Sequence, residues 1–171
     1  MEQQAPTLSK TSKGIEYVPA MLSFLEEIGI PVRKEKIESK TFVPGLAIQN
    51  GVLLMDEEKM LYPGDILHEA GHIAVTPAAK RSTLNEVTSA GDEIAAIIWS
   101  FAASKKIGVP LEILFHPDGY KGDSSWLVNM FTNKTYIGLP LLEWMGFTAA
   151  QKKATELGVA PFPHMLRWLR E

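Results

Sequence analysis

The sequence HEAGH at residues 68–72 places two histidines four positions apart in a segment with clear helix boundaries. A Pro-Gly pair precedes the segment, Asp65 is a residue type suited to a helix N-cap, and Pro77 disfavours helical backbone at the residue before it. The pattern therefore predicts a helix over residues 65–76. Because residues four apart share one face of a helix, both imidazoles are expected on the same side.

The predicted helix places its apolar residues on the side opposite the polar residues of the HEAGH motif. At about 100° per residue, the apolar side chains gather on one side, while His68, Glu69 and His72 occupy the opposite arc. The core requires only one face of the helix, so the motif face is expected to line a cleft. The apolar set consists of Ile66, Leu67, Ala70, Ile73 and Ala74.

Two imidazoles and a carboxylate are ligand types that suit a catalytic zinc ion, which takes three protein ligands and keeps one position open. His68 and His72 are the first two predicted ligands. Glu69 is the predicted general base, because a bound cation lowers the pKa of a water molecule and an adjacent carboxylate can accept its proton. The predicted cofactor is Zn²⁺, although Fe, Mn, Co or Ni could occupy the same ligands.

The third ligand must come from another part of the chain. Asp92 and Glu93 lie at the start of a second predicted helix, and adjacent helical residues diverge by about 100°, so only one of them can face the metal. Glu93 is favoured, since Ala96 and Ile97 place it beside an apolar stripe, and Asp92 is assigned to capping or to supporting a ligand. Glu86 is a weaker candidate. Either member of the acidic pair could instead serve only to stabilise the helix N-terminus.

The HEAGH motif, followed about twenty residues later by Glu93 in a second helix, resembles the gluzincin branch of the zincin metallopeptidases. The resemblance covers roughly residues 42–103 and extends to small bacterial proteins of the minimal gluzincin type. It implies that both motif histidines and Glu93 bind zinc, that Glu69 is the base, and that a hairpin near Asn50 supplies the edge strand for a peptide or protein substrate. The resemblance therefore implies a zinc-dependent peptidase with a zincin-like fold.

Zincin peptidases also carry a downstream His or Tyr that stabilises the oxyanion, and no recognisable motif marks one in this chain. The candidates are His116 and Tyr120, which lie in a Gly/Pro-rich loop of the kind that often forms sites, and Tyr136. We predict catalytic roles for His116 and Tyr120. His164 is predicted to be structural. The four tryptophans are predicted to be packing residues: Trp99, Trp126, Trp144 and Trp168.

The missing oxyanion motif leaves a second function open. The chain could be a metal-binding or protein-interaction module that retains the zincin fold without turnover. A third possibility, a purely structural helical domain, requires the HEAGH sequence to be accidental.

The rest of the chain predicts an α+β fold, mostly helical, with a small sheet before the motif helix. Residues 1–14 are predicted to be a flexible arm and residues 15–171 a single zincin-like domain. Asn50-Gly51, between two apolar runs, is a strong hairpin signal. Further predicted elements are a helix over residues 16–28, a helix from Ser89 or Gly91 to Ile107, and short helices or turns beyond it, of which residues 111–115 could also be a strand.

Composition restricts the partners. The formal net charge is −3 and basic residues form no cluster, which argues against nucleic-acid binding. No apolar stretch approaches about 18 residues and the first residues carry no export signal, so no membrane partner is expected and the predicted location is cytoplasmic. The chain has no cysteine, which excludes disulfides and thiol catalysis. The oligomeric state is left open.

Overall fold

The structure is a computed structural model that describes residues 13–85 and 90–171. About half of these residues are helical, and three short strands form one sheet, so the predicted combination of helices with a small sheet is confirmed. The zincin-like part of that prediction stays a prediction. Residues 1–12 of the predicted arm, and Glu86, lie outside the described residues.

The elements follow one another in a simple order along the chain. A 3₁₀ turn at Ile15–Tyr17 leads into the first helix, and a second 3₁₀ turn lies at Tyr120–Gly122. The remaining elements are α1 (Val18–Ile28), β1 (Val32–Lys34), β2 (Leu46–Gln49), β3 (Val52–Met55), α2 (Asp65–Val75), α3 (Ala78–Arg81), α4 (Ala90–Ile107), α5 (Leu111–Leu114), α6 (Ser124–Thr132), α7 (Leu139–Trp144) and α8 (Gln151–Leu157).

The predicted hairpin forms the larger part of the sheet. Strands β2 and β3 pair antiparallel with Gln49 opposite Val52, and the turn between them has φ values of 50° at Asn50 and 74° at Gly51. Positive φ at both central residues defines the turn type whose twist matches paired strands, which is why Asn-Gly is favoured there. The hairpin prediction is confirmed at both strands.

Strand β1 was not predicted from the sequence. It pairs parallel with β3, so the strand order is β1-β3-β2 and β3 is central. The strand has only three residues, two of which, Arg33 and Lys34, are exposed and charged. Such a strand shows no alternation of apolar and polar residues, and its position is fixed by pairing with β3.

The motif helix α2 begins at Asp65 as predicted and ends at Val75, one residue before the predicted end, because Thr76 is extended; its N-cap is Gly64 rather than Asp65. A Cβ atom at position 64 would collide with the carbonyl oxygen of Ile113 and would lie 2.8 Å from the Cα of Leu114. Only glycine fits this close approach, so the helix start lies directly against α5. The Asp65 side chain makes no capping hydrogen bond.

Helix α2 packs most extensively against α4, and Gly71 lies at the contact. A Cβ atom there would lie 2.9 Å from the carbonyl oxygen of Ala96 and 3.2 Å from Cε3 of Trp99. The five apolar residues of α2 predicted to face the core are fully buried. The opposite face is not open as predicted: His68 and His72 are only 7% and 3% exposed, because α4 covers them, and Glu69 alone stays partly exposed.

Helix α4 matches the predicted second helix and ends before Gly108, whose φ of 91° stops it. Of the ambiguous residues 111–115, Leu111–Leu114 form α5, a helix rather than a strand. The short helices or turns predicted beyond them include α6, α7 and α8. None of the described helices combines the length and the apolar character that crossing a membrane requires.

The final residues of the chain complete the C-terminal end of α2. The backbone N–H of Arg170 donates to the carbonyl of Ala74 at 2.9 Å, and its guanidinium donates to the carbonyl of Val75 at 3.2 Å. The guanidinium of Arg81 donates to the carbonyls of Thr76 and Arg170. The last carbonyls of a helix lack partners within it, so these donors satisfy groups that would otherwise be unpaired.

The tryptophan prediction is confirmed for two residues and wrong for two. Trp99 is fully buried, and Trp168 packs edge-on against it with ring centroids 5.7 Å apart. Trp126 and Trp144 are 51% and 72% exposed, because they lie on the outer faces of the short helices α6 and α7. Arg170 lies over the ring of Trp144, 5.3 Å from its centroid.

We expect Gly71→Ala to destabilise the protein by about 1–3 kcal/mol, since the added methyl group overpacks the contact between α2 and α4. This loss should exceed the gain of up to about 1 kcal/mol from the higher helix propensity of alanine. Urea unfolding of both proteins measures the difference. A variant as stable as the wild type would show that the two helices are not in tight contact at this position.

Candidate metal centre

Three side chains from α2 and α4 converge on one point. The Nε2 atoms of His68 and His72 are 3.2 Å apart, and Oε1 and Oε2 of Glu93 lie 3.1 Å from the former and 3.0 Å from the latter. Among the described residues, this is the group of His and acidic side chains whose potential ligand atoms come close enough to hold one metal ion.

The separations of these atoms fit a single transition-metal ion. A tetrahedral zinc ion with bonds of about 2.0–2.1 Å holds its ligand atoms about 3.3 Å apart, and octahedral coordination at the same bond length gives about 2.9 Å. The observed separations of 3.0–3.2 Å fall within this range. Two imidazoles and a carboxylate are also the donor set that zinc accepts at catalytic sites. The residues present therefore fit the predicted ion.

The two helices explain why these side chains meet. His68 and His72 are separated by one turn of α2, so their rings project from the same face. Glu93 lies in the first turn of α4, whose close packing at Gly71 brings that turn beside the histidines. The group contains Glu93 and not Asp92.

The charges of the ligands stabilise one another. Hydrogen bonds from His68 and His72 hold the pKa of the Glu93 carboxyl far below its usual value. Burial opposes protonation of His68, but the hydrogen bond to Glu93 and its charge outweigh burial and raise the pKa of His68. Glu93 is therefore ionised and available to a cation.

Glu69 lies between the two histidines in sequence and has a different electrostatic environment. Burial raises the pKa of its carboxyl, and the nearby charges of Asp65 and Glu93 add to the increase, while His68 and His72 oppose it. A carboxylate with a raised pKa is a stronger base than an exposed one, which suits the predicted role in accepting a proton.

The second nitrogen of each motif histidine has no polar partner. Nδ1 of His68 and Nδ1 of His72 are buried without a hydrogen bond among the described residues. Metal-binding histidines usually donate this second N–H to a carboxylate or carbonyl, which fixes the ring. Here the ring of His68 is held by packing: it lies edge-on to His72 and, on another side, edge-on to Tyr120, with ring centroids 4.7 Å and 5.3 Å away.

The structure places the two predicted oxyanion candidates differently. The Tyr120 ring lies against His68, and its hydroxyl donates to the carbonyl of Leu114 at 3.3 Å. Burial and the charges of Asp65, Glu93 and Glu69 raise the pKa of Tyr120 well above its usual value, so the hydroxyl stays protonated. His116 contacts Asp65, with its Nε2 2.8 Å from Oδ1 of Asp65.

Other sequence candidates lie away from the three ligands. Tyr136 packs between Phe101 and Phe162, with ring centroids 5.6 Å and 4.7 Å away, and belongs to the aromatic core. The His164 side chain is exposed, and its carbonyl accepts a hydrogen bond from Thr148 at 2.7 Å.

Two residues near the site were not predicted from the sequence to belong to it. Asp65 was assigned to the N-cap, but it contacts His116, whose ring is stacked on Tyr62 at a centroid distance of 3.8 Å. The position of Asp65, four residues before Glu69, was the available signal, because it places the two carboxylates on one face of α2. Nothing in the sequence marked Tyr62.

Comparison with known proteins finds no significant similarity: no protein-family model matches the chain, and neither a curated protein nor a solved structure does. The gluzincin resemblance therefore rests on the HEAGH motif and Glu93 alone.

We expect His68→Ala, His72→Ala and Glu93→Ala each to lower zinc affinity by more than about a hundredfold, since loss of a supporting residue alone costs 10- to 100-fold. Asp92→Asn is the comparison variant, because it alters the neighbouring carboxylate outside the group and should lower zinc affinity less than any of these three variants. Competition with a chromophoric chelator measures the affinity. Loss of zinc in the Asp92 variant with retention in the Glu93 variant would reverse the ligand assignment.

Zinc affinity should fall as the pH falls, because protons compete with the metal for the imidazoles. Glu93 raises the pKa of His68. The decline should therefore begin at a higher pH than it would for a histidine with the usual pKa of about 6.5. Glu93→Gln removes that charge, so the midpoint of the decline should move to lower pH even though affinity drops. A zinc titration at several pH values tests the shift, and an unchanged midpoint would contradict it.

Proposed function

We propose that the protein is a zinc-dependent hydrolase that cleaves peptide bonds, with His68, His72 and Glu93 as metal ligands and Glu69 as general base. The observation that carries the proposal is the convergence of three side chains beside a partly exposed glutamate: the Nε2 atoms of His68 and His72 are 3.2 Å apart, and each lies 3.0–3.1 Å from one carboxylate oxygen of Glu93. Zinc supplies Lewis-acid activation of water and polarises a carbonyl when it is bound at such a site.

The chain's own residues supply the remaining steps. The charges of His68 and His72 act on the Glu69 carboxylate, which therefore lies near the two imidazoles. There it can take a proton from water and pass it to the leaving amine. Burial raises the pKa of the Glu69 carboxyl and so strengthens it as a base. The buried surroundings of both histidines exclude bulk water and strengthen each electrostatic interaction at the site.

Strand β2 is the proposed binding edge for an extended peptide. It lies at the edge of the sheet and packs against α2. Because Gln49 and Val52 form the hydrogen-bonded pair next to a two-residue turn, the alternation along β2 turns the N–H and C=O of Ile48 to the outer edge. An extended peptide can pair with such groups, and a strand beside the ligand helix would carry it past the metal.

A second function is favoured by one specific observation. The polar groups of both predicted oxyanion candidates are engaged: the Tyr120 hydroxyl donates to Leu114, and Nε2 of His116 contacts Asp65. A site without a free donor for the oxyanion would bind metal and perform no turnover. The alternative proposal is therefore a metal-binding or protein-interaction module built from the same ligands.

Glu69→Gln separates the two proposals. The amide keeps the size of the side chain and cannot accept the proton, so we expect zinc to remain bound while hydrolysis falls by about 10²- to 10⁴-fold. Zinc-loaded wild type and variant are compared on a mixture of quenched fluorescent peptides, with metal content measured on the same samples.

Glu156→Gln is the matched control, because Glu156 is an exposed residue of α8. It should retain both zinc and hydrolysis. If the zinc-loaded wild type cleaves no peptide, the hydrolase proposal fails and the binding module is supported. If the zinc-loaded Glu69→Gln variant cleaves peptides as well as the wild type does, Glu69 is not the general base.

A further inference from the structure

We infer that His116 is a positioning residue: with Tyr62, Asp65 and Asp118 it holds the loop that presses the Tyr120 ring against the metal ligand His68. These four residues are called the anchoring cluster. The inference rests on the metal site of the proposed function but not on hydrolysis, and it replaces a catalytic role for His116 with an indirect one.

The first step is that His68 lacks the usual support of a metal-binding histidine. Its Nδ1 is buried and has no hydrogen-bond partner among the described residues, so polar contacts hold the ring only at Nε2. The edge-on contact with Tyr120, at 5.3 Å between centroids, restricts the rotation of the ring. Aromatic rings prefer this edge-to-face arrangement. The ring of Tyr120 therefore takes the place of the missing hydrogen-bond acceptor.

The second step is that Tyr120 cannot hold its own position without help. Its backbone has φ of 56°, and the next residue, Lys121, has φ of 53°. Left-handed backbone at a residue other than glycine costs of order 1–3 kcal/mol and persists only where the surroundings impose it. Something outside the loop must supply the compensating contacts.

The third step is that the anchoring cluster supplies these contacts. A carboxylate can only accept, so Nε2–H of His116 donates to Asp65, at 2.8 Å, with both side chains about nine-tenths buried. The His116 ring is stacked on Tyr62 with 5° between the planes, and the Tyr62 hydroxyl donates to Asp118 at 2.9 Å. Three contacts thus join residues 62–65 at the start of α2 to residues 116–118 of the loop.

The His116 ring is also tightly packed against the backbone of Gly119. A Cβ atom at Gly119 would lie 2.8 Å from Cε1 and 3.0 Å from Nε2 of His116. The ring is therefore stacked on Tyr62 and lies so close to Gly119 that a Cβ atom there would collide with it. A residue confined in this way and already bonded to Asp65 is suited to holding a loop and is poorly placed to reach a substrate.

The test compares variants of His116 and of Tyr120 in the full chain. His116→Leu removes the contact with Asp65, whereas His116→Gln keeps an amide donor near the position of Nε2. His164→Leu is the matched control, because it removes an exposed histidine. Three properties are measured: zinc affinity, the visible absorption spectrum of the cobalt-loaded protein, and nitration of Tyr120 by tetranitromethane in the metal-free protein, read by mass spectrometry.

We expect His116→Leu to lower zinc affinity about 10- to 100-fold, to change the cobalt spectrum, and to make Tyr120 reactive. His116→Gln should restore most of the affinity and the protection, which a generally destabilised protein would not do. His164→Leu should match the wild type. A folded His116→Leu protein with wild-type affinity and an unreactive Tyr120 would overturn the inference.

Variants of Tyr120 keep the test decisive if His116→Leu does not fold. Tyr120→Phe retains the ring and should retain zinc affinity and the cobalt spectrum, whereas Tyr120→Ala should lose about 10- to 100-fold in zinc affinity. Equal losses in both variants would show that the hydroxyl matters and the ring contact does not, which overturns the inference.

The nitration readout separates this inference from the proposed function. A wild type that binds zinc and cleaves no peptide removes the hydrolase proposal and leaves the role of the anchoring cluster intact. A wild type that takes up no metal overturns both. An unreactive Tyr120 in metal-free His116→Leu overturns the inference alone.

Discussion

The close approach of α2 to α4 at Gly71 is the constraint on which the site depends. The backbone of one helix lies against Ala96 and Trp99 of the other, at a distance that excludes even a methyl group. This contact sets the distance from the two histidines to Glu93, so the geometry of the candidate ligands follows from helix packing. It also explains why the histidines are nearly buried: the helix that supplies the third ligand covers the first two.

Burial and charge act together at this interface. A buried imidazole and a carboxylate each lose hydration, and that loss is tolerable only where the groups bond to one another or to a cation. Hydrogen bonds from the histidines lower the pKa of Glu93, and Glu93 raises the pKa of His68, so the charged forms of the pair stabilise each other. The folded chain itself brings together three side chains that could hold a metal ion.

The sequence predicted the features that are determined by residues close together in the chain. The bounds of α2 follow from proline and glycine at its ends, the hairpin follows from Asn50-Gly51, and Glu93 was selected over Asp92 by helical phase. Strand β1 could not be predicted, because three residues carry no pattern. The contact of Asp65 with His116 spans 51 residues, and only the folded chain brings them together. The exposure of Trp126 and Trp144 depends equally on where short helices lie.

The capping of α2 by Arg170 has a consequence for the order in which the molecule can be assembled. The ligands lie within a stretch of chain from His68 to Glu93, whereas the donors to the last carbonyls of α2 arrive 95 residues after Val75. During synthesis α2 and α4 can pack together long before Arg170 is available to donate to the last carbonyls of α2. The contacts that bring the candidate ligands together thus span at most 25 residues, from His68 to Glu93, and they can form before the contact that completes the end of α2 exists.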